Sequence, residues 1–233
     1  MCGRYTLTSS DERRLGSRFQ ISLDDQMKDA LGRYNVAPTQ EVLTVLGGSD
    51  PEEAEPRAEL VRWGLVPHWA KDLRAGYRMI NARAEGLLES RAYSPLVKKQ
   101  ANRCLILADG FYEWMKPEEP KGPKQPVRFT VDDGEPFAFA GLTTSREWEG
   151  EKLTSCTIIT TEANEEVARV HNRMPVILPD PEAEAAWMSG ELSPDEAVSL
   201  CRPLDPARVT AKPASQTINK VGGTREGPEM LEA

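Results

Sequence analysis

Apolar positions along this chain repeat with two different periods. Between residues 10 and 31, Leu15, Phe19 and Leu23 recur at four-residue spacing behind Ser9 or Ser10. That pattern predicts a helix with a serine cap, stopped by Gly32. Beyond it the apolar runs are short. Val42–Leu46 predicts a strand ending at Gly47-Gly48, and Leu60–Leu65 another, broken at Pro67. Cys104–Leu107, Val127–Val131, Phe137–Leu142, Leu153–Thr160 and Pro175–Leu178 predict further strands. Short helices are expected at Ala82–Glu89, Ser94–Gln100 and Ala163–Val170, and short acidic ones at Pro181–Met188 and Pro194–Leu200. Residues 35–39, 49–57 and the four-proline stretch 116–126 predict loops, and 220–233 a loose tail. Scattered short strands with intervening helices predict an α+β fold, its sheets curled round one core.

A length of 233 residues fits one large domain or two small ones. No apolar run approaches the ~20 residues that span a bilayer, and Asp11 to Arg14 interrupt any signal-peptide pattern. A cytoplasmic protein without membrane partners is expected. Four scattered cysteines (Cys2, Cys104, Cys156, Cys201) form no CxxC pair. That argues against a zinc site or disulfide framework and fits a reducing compartment. The net charge is −8, yet residues 57–103 hold ten Lys/Arg against four Asp/Glu. A basic block inside an acidic chain fits either a phosphate-facing groove or a solvated face.

The second position changes the picture. Methionine is normally trimmed ahead of a small residue, and removal of Met1 would leave Cys2 with a free amine and a thiol on neighbouring carbons. Such a 1,2-aminothiol captures aldehydes: the amine forms an imine, the sulfur adds to its carbon, and a thiazolidine ring closes. Both nucleophiles ordinarily titrate close to the working range. The competing reading is a small buried hydrophobe near a terminus.

Several short runs are too polar and aromatic for mere packing: Asn35-Val36-Ala37-Pro38-Thr39, Trp63-Gly64-Leu65-Val66-Pro67-His68-Trp69, Asn81-Ala82-Arg83-Ala84-Glu85, Gly110-Phe111-Tyr112-Glu113-Trp114, and His171-Asn172-Arg173-Met174-Pro175 continuing to Leu178. With Met1-Cys2-Gly3-Arg4, this ordered set strongly resembles the SRAP family, SOS-response-associated peptidases understood as abasic-site processing proteins. The resemblance runs from Cys2 to about Pro228. Two positions depart from the family pattern, Leu107 before Ala-Asp-Gly and Thr143 after Ala-Gly-Leu; neither belongs to the reactive set.

The resemblance implies a single SRAP domain over residues 1–228, with mainly antiparallel sheets forming a barrel-like core, flanking short helices, and a flexible tail at 229–233. It implies that Cys2, freed of Met1, traps the open aldehyde of an abasic site in single-stranded DNA as a covalent thiazolidine, without metal or cofactor. Closing the ring removes the imine that would otherwise promote strand cleavage. Ring opening and imine formation need proton transfers. Glu113, among Phe111, Tyr112 and Trp114, is the expected acid/base group, its pKa raised by an apolar surround; His171 is the second. Arg4, Asn81, Arg83 and Arg173 are expected to hold phosphate and sugar. Asn35, Pro38 and Trp63 should line the DNA channel, the aromatic splaying bases. Thr161 is a pocket donor or a helix cap, while Trp69 and Trp114 are equally well core residues. A monomer acting on single strands and their junctions with duplex is expected, nucleoid-associated in a bacterium. Two other classes stay open: a thiol peptidase whose one plausible cut is its own Met1–Cys2 bond, and a non-covalent single-strand-binding adaptor.

Overall fold

The computed structural model describes residues 2–47, 56–117, 122–222 and 226–233. In chain order the strands are β1 (Tyr5–Leu7), β2 (Arg33–Val36), β3 (Glu41–Leu46), β4 (Arg57–Trp63), β5 (Asn81–Arg83), β6 (Arg103–Ala108), β7 (Gly110–Met115), β8 (Gln125–Val131), β9 (Phe137–Trp148), β10 (Glu151–Glu162), β11 (Arg173–Pro175) and β12 (Val209–Pro213). The helices are α1 (Glu12–Phe19), α2 (Asp25–Lys28), α3 (Ser94–Val97), α4 (Glu165–Ala168), α5 (Pro181–Met188) and α6 (Pro194–Ser199). The fold is the expected α+β arrangement with a barrel-like core and short helices around it.

Five strands close into a ring, in the order β10-β4-β3-β6-β9, with β9 pairing back onto β10. Closure leaves no open edge in the ring. The ladders are antiparallel except β4–β10, and β5 also runs parallel to β10. β3, β6 and the ring portions of β9 and β10 are buried on both faces and read as near-continuous apolar runs, whereas β4 keeps partly exposed positions. Alternate residues separate into two clusters. Cys104, Ile106, Phe139, Cys156 and Ile158 join one core. Leu105, Leu107, Ala138, Ala140 and Ile159 join the other, beneath Leu15 and Phe19 of α1 and Trp187 of α5.

A second sheet, entirely antiparallel, has the order β12-β8-β7-β1-β2. It meets the ring through aromatic rings. Tyr5 of β1 packs on Trp63 of β4 at 5.3 Å and on Phe139 of β9 at 5.6 Å, and Phe111 of β7 meets Phe139 edge-on at 6.4 Å. Such pairs contribute about 0.5–1.5 kcal/mol each beyond the area they bury.

Local structure departs from the sequence pattern in identifiable places. The helix expected over 10–31 divides into α1 and α2, because Gln20 enters the left-handed region (φ 54°) and ends the first. Residues 82–89 begin as strand β5 and continue as a 3-10 turn at Ala84–Gly86, not as a helix. Asn35-Val36 lie in strand β2, not in a loop. The tail expected at 229–233 is docked in part: Pro228–Leu231 form a 3-10 turn, and Met230, 2% exposed, packs with Tyr112, Ala214 and Ile218. Most of the 49–57 loop, and residues 118–121 of the proline-rich one, lie outside the described residues.

Candidate active site

Strand register brings Cys2 to Glu113. Tyr5 pairs with Phe111 and Thr6 with Gly110 in the antiparallel β1–β7 ladder, and the Tyr112 N–H donates to the Arg4 carbonyl at 3.0 Å. Extending that register toward the terminus sets Gly3 opposite Glu113, with Cys2 one position beyond and within reach of the Glu113 charge. The period of two on β7 puts Glu113 on the face of Phe111, toward the ring, and Tyr112 on the other. Glu113 is 3% exposed. Burial raises its pKa above the ordinary carboxylate range, opposed in part by charge at His171. Cys2 is fully buried, its thiol donating to the Arg4 carbonyl at 3.7 Å. Burial, reinforced by the Glu113 charge, pushes its pKa far up, so the thiol is neutral here. All four cysteines are buried. Burial therefore does not single out Cys2; the buried carboxyl of Glu113 beside it does.

His171 and Asn81 complete the cluster. His171 leaves the C-terminal end of α4, its N–H donating to the Val167 carbonyl at 2.9 Å. Its Nδ1 accepts the Arg173 N–H at 3.0 Å and lies 3.9 Å from Glu113 Oε1. Accepting at Nδ1 puts the proton of the neutral ring on Nε2. Protonating Nδ1 would turn it toward the Arg173 carbonyl, 3.2 Å away, and the Glu113 carboxylate. Asn81, on β5, donates from Nδ2 to the Cys2 carbonyl at 2.8 Å. The Asn81 carbonyl in turn accepts from the Tyr93 hydroxyl at 3.3 Å. Cys2, Asn81, Glu113 and His171 thus converge from four separate elements.

Other expected site residues fare differently. Trp63 is 0% exposed, wedged against Tyr5, with its indole N–H donating to the Ile80 carbonyl at 2.9 Å. It has no face to offer a base, which corrects its placement in a DNA channel. Arg173 is buried and forms a bidentate pair with Glu85 at 2.5 and 3.0 Å, adding a 2.7 Å bond to the Thr160 carbonyl. It is engaged by protein instead of standing open to phosphate. Arg4 bonds Asn35 Oδ1 at 2.9 Å and the Ile218 carbonyl at 2.8 Å, over the Trp114 ring. The Asn35 amide bonds the Lys220 carbonyl at 2.9 Å. Both residues face the C-terminal segment. Thr161 is buried in the β10–β11 ladder opposite Met174, so it caps no helix. Asn164 caps α4 instead, accepting the Val167 N–H. Pro38 is half-buried, and Arg83 is exposed two residues from Asn81.

Exposure reveals aromatics that sequence alone leaves undecided. Trp69 is 68% exposed and Tyr77 58% exposed. Both lie on the segment between β4 and β5 that also exposes Lys71, Arg74 and Arg78. Gly64 (φ 120°) and Gly76 pin the base of this segment. A Cβ on Gly76 would meet the Gly64 carbonyl oxygen at 2.6 Å, so neither backbone tolerates a side chain there. The composition of the run could have suggested a surface, but Trp69 and the buried Trp63 share one motif and only the fold separates them.

Fold and site together define a class: a small β-barrel protein whose second residue sets a thiol beside a buried carboxylic acid and an imidazole. The sequence profile described as SOS response associated peptidase (SRAP) matches residues 1–221, and this chain belongs to that family. It is 41% identical over 240 residues to abasic site processing protein YoqW of Bacillus subtilis, covering all of both chains. It is 30% identical to abasic site processing protein YedK of Escherichia coli, covering all of this chain and 99% of that one. A solved protein from Bacteroides thetaiotaomicron shares the fold over the full length of both chains, with a TM-score of 0.83 at 21% identity.

Proposed function

We propose that this protein processes abasic sites in single-stranded DNA by forming a thiazolidine between Cys2 and the opened sugar. The observation that carries this reading is the placement of Glu113, a buried carboxyl of raised pKa between the Cys2 strand and His171. Relatives named abasic site processing proteins, similar over their whole length, support the substrate class.

With Met1 removed, the Cys2 amine attacks the aldehyde carbon C1′. Glu113, its pKa raised by burial, protonates the carbinolamine hydroxyl, which departs as water and leaves an iminium. The Glu113 carboxylate then takes the thiol proton, and sulfur adds to the iminium carbon. The net reaction joins aldehyde, amine and thiol with loss of one water, and Glu113 ends protonated as it began. His171, beside the carboxyl, stabilises its anionic stage. Asn81 holds the Cys2 carbonyl and so fixes the direction of the amine. Exposed Arg83, Lys71 and Arg78 supply charge for the phosphates, and Trp69 and Tyr77 offer faces on which bases can stack.

The test mixes the processed protein with labelled single-stranded DNA carrying one abasic site. A denaturing gel should retain the adduct, and its intact mass should equal protein plus DNA less one water. An association lost on denaturation would instead support a non-covalent adaptor. Cleavage of added peptides with no DNA adduct would support the peptidase reading.

A further inference from the structure

The last part of the chain is bonded to the strand that carries Cys2. The Ile218 carbonyl accepts from Arg4 at 2.8 Å and from the Asn35 amide at 3.3 Å, and the Lys220 carbonyl accepts from the same amide at 2.9 Å. Asn219 Oδ1 accepts the Trp114 indole N–H at 2.7 Å, next to Glu113. Glu226 reaches β2 from further along: one of its oxygens accepts the N–H groups of Tyr34 (2.8 Å) and Asn35 (3.0 Å). Apolar contacts fix these groups, with Ile218 and Met230 buried against Tyr112 on the face of β7 opposite Glu113.

Arg4 and Asn35 therefore direct their donors at the chain itself. Arg4 lies two residues from Cys2 and supplies the carbonyl that the Cys2 thiol contacts. A short terminal strand with one free end is mobile unless tied down, and aldehyde capture needs amine, thiol and acid held together. We infer that residues 214–220 and Glu226 form a positioning clamp for the Cys2 nucleophile, acting through Arg4 and Asn35 on the rate of ring closure and not on DNA affinity. Arg4 and Asn35 are positioning residues in the same sense. The inference rests on the proposed covalent reaction.

Single-turnover crosslinking to abasic single-stranded DNA, over a range of DNA concentrations, tests it in Glu226→Ala, Glu226→Gln, Ile218→Ala and Ile218→Val. Gln keeps one oxygen able to accept both β2 N–H groups, and Val keeps most of the Ile218 packing. The two alanine variants should lose about tenfold or more in maximal rate, since small misplacements of reacting groups cost up to ~10²-fold. Their half-saturating DNA concentration, and their affinity for intact single strands, should stay within about twofold, a small change in free energy. The Gln and Val variants should recover most of the rate. Should Ile218→Ala not fold, the Glu226 pair decides alone. Alanine variants that reach the wild-type rate at saturating DNA, or that weaken binding instead, overturn the clamp. A Gln variant as slow as the Ala variant overturns it too. If wild type itself gives no adduct, the proposed function fails first, so the two failures are distinguishable.

Discussion

The closed ring and the five-stranded sheet beside it use their residues in opposite ways. Along Cys104–Ala108 of β6 and Phe137–Leu142 of β9 the side chains are apolar and buried, alternating between two cores. Thr44 and Thr157 are small and neutral, and the buried Arg103 that opens β6 directs its guanidinium at the Val97 and Ser189 carbonyls of the flanking helical segments. The neighbouring sheet instead buries carboxyl groups. Asp109, at the turn into β7, accepts from the Thr6 and Thr8 hydroxyls and from Arg128, while Glu113 sits beside His171. Asp109 is surrounded by donors and is structural. Burial of Glu113 disfavours its anion, opposed in part by charge at His171. The ring supplies stability, and the sheet gives up part of it to keep one carboxyl proton available.

The largest expected effect sits on the sheet. Cys2→Ala should abolish the denaturant-resistant adduct while Cys156→Ala, an equally buried ring cysteine, retains it; an adduct undiminished in Cys2→Ala would sink the mechanism. An uncleaved residue or tag ahead of Cys2 should block the adduct equally, by converting the amine to an amide.

Glu113→Gln should slow crosslinking by ~10²–10⁴, the range for a lost acid/base group. It should also stabilise the fold at neutral pH. Burial raises the Glu113 pKa in the folded state, so its contribution to stability is full below the ordinary carboxylate pKa and is lost as pH rises through the raised value. Wild type should therefore melt below Glu113→Gln at pH 8, with the gap closing toward about pH 4. A constant gap across that range would contradict the assignment.

Ile106→Ala makes the opposite cut. It should cost about 2–5 kcal/mol of stability, read by denaturant unfolding, while the folded fraction crosslinks at nearly the wild-type rate. A proportionate loss of rate would mean that ring and sheet are not separable.

Trp69→Ala should weaken binding to single strands by about 1–3 kcal/mol, the usual worth of one stacked base, and leave thermal stability nearly unchanged. Trp63→Ala should do the reverse, because its ring is core. Smallest of all, Arg83→Ala should reduce the salt dependence of single-strand binding by a slope of about 0.7, one phosphate's worth; an unchanged slope removes Arg83 from the phosphate contacts.

The ring was largely legible in the sequence. β3, β6 and the ring portions of β9 and β10 are buried on both faces, so the apolar runs at 42–46, 104–107, 137–142 and 153–160 mark them directly. The second sheet was not. Of its strands only β8 carries a clear apolar run, and β1, β2, β7 and β12 are short or mix polar residues with aromatics. The motif residues that point to chemistry are the same ones that hide the strand pattern. Sequence by itself determined the α+β class and put forward Cys2, Glu113 and His171, which depend on residue type and local order, with Asn81 added by the family resemblance. Tertiary structure alone decided which groups meet. It buried Trp63 and exposed Trp69, tied Arg173 to Glu85, and brought residues near 218 and 226 onto Arg4 and Asn35. These contacts join positions up to 214 residues apart, and no periodicity in a linear chain records a pairing made only when the sheets close.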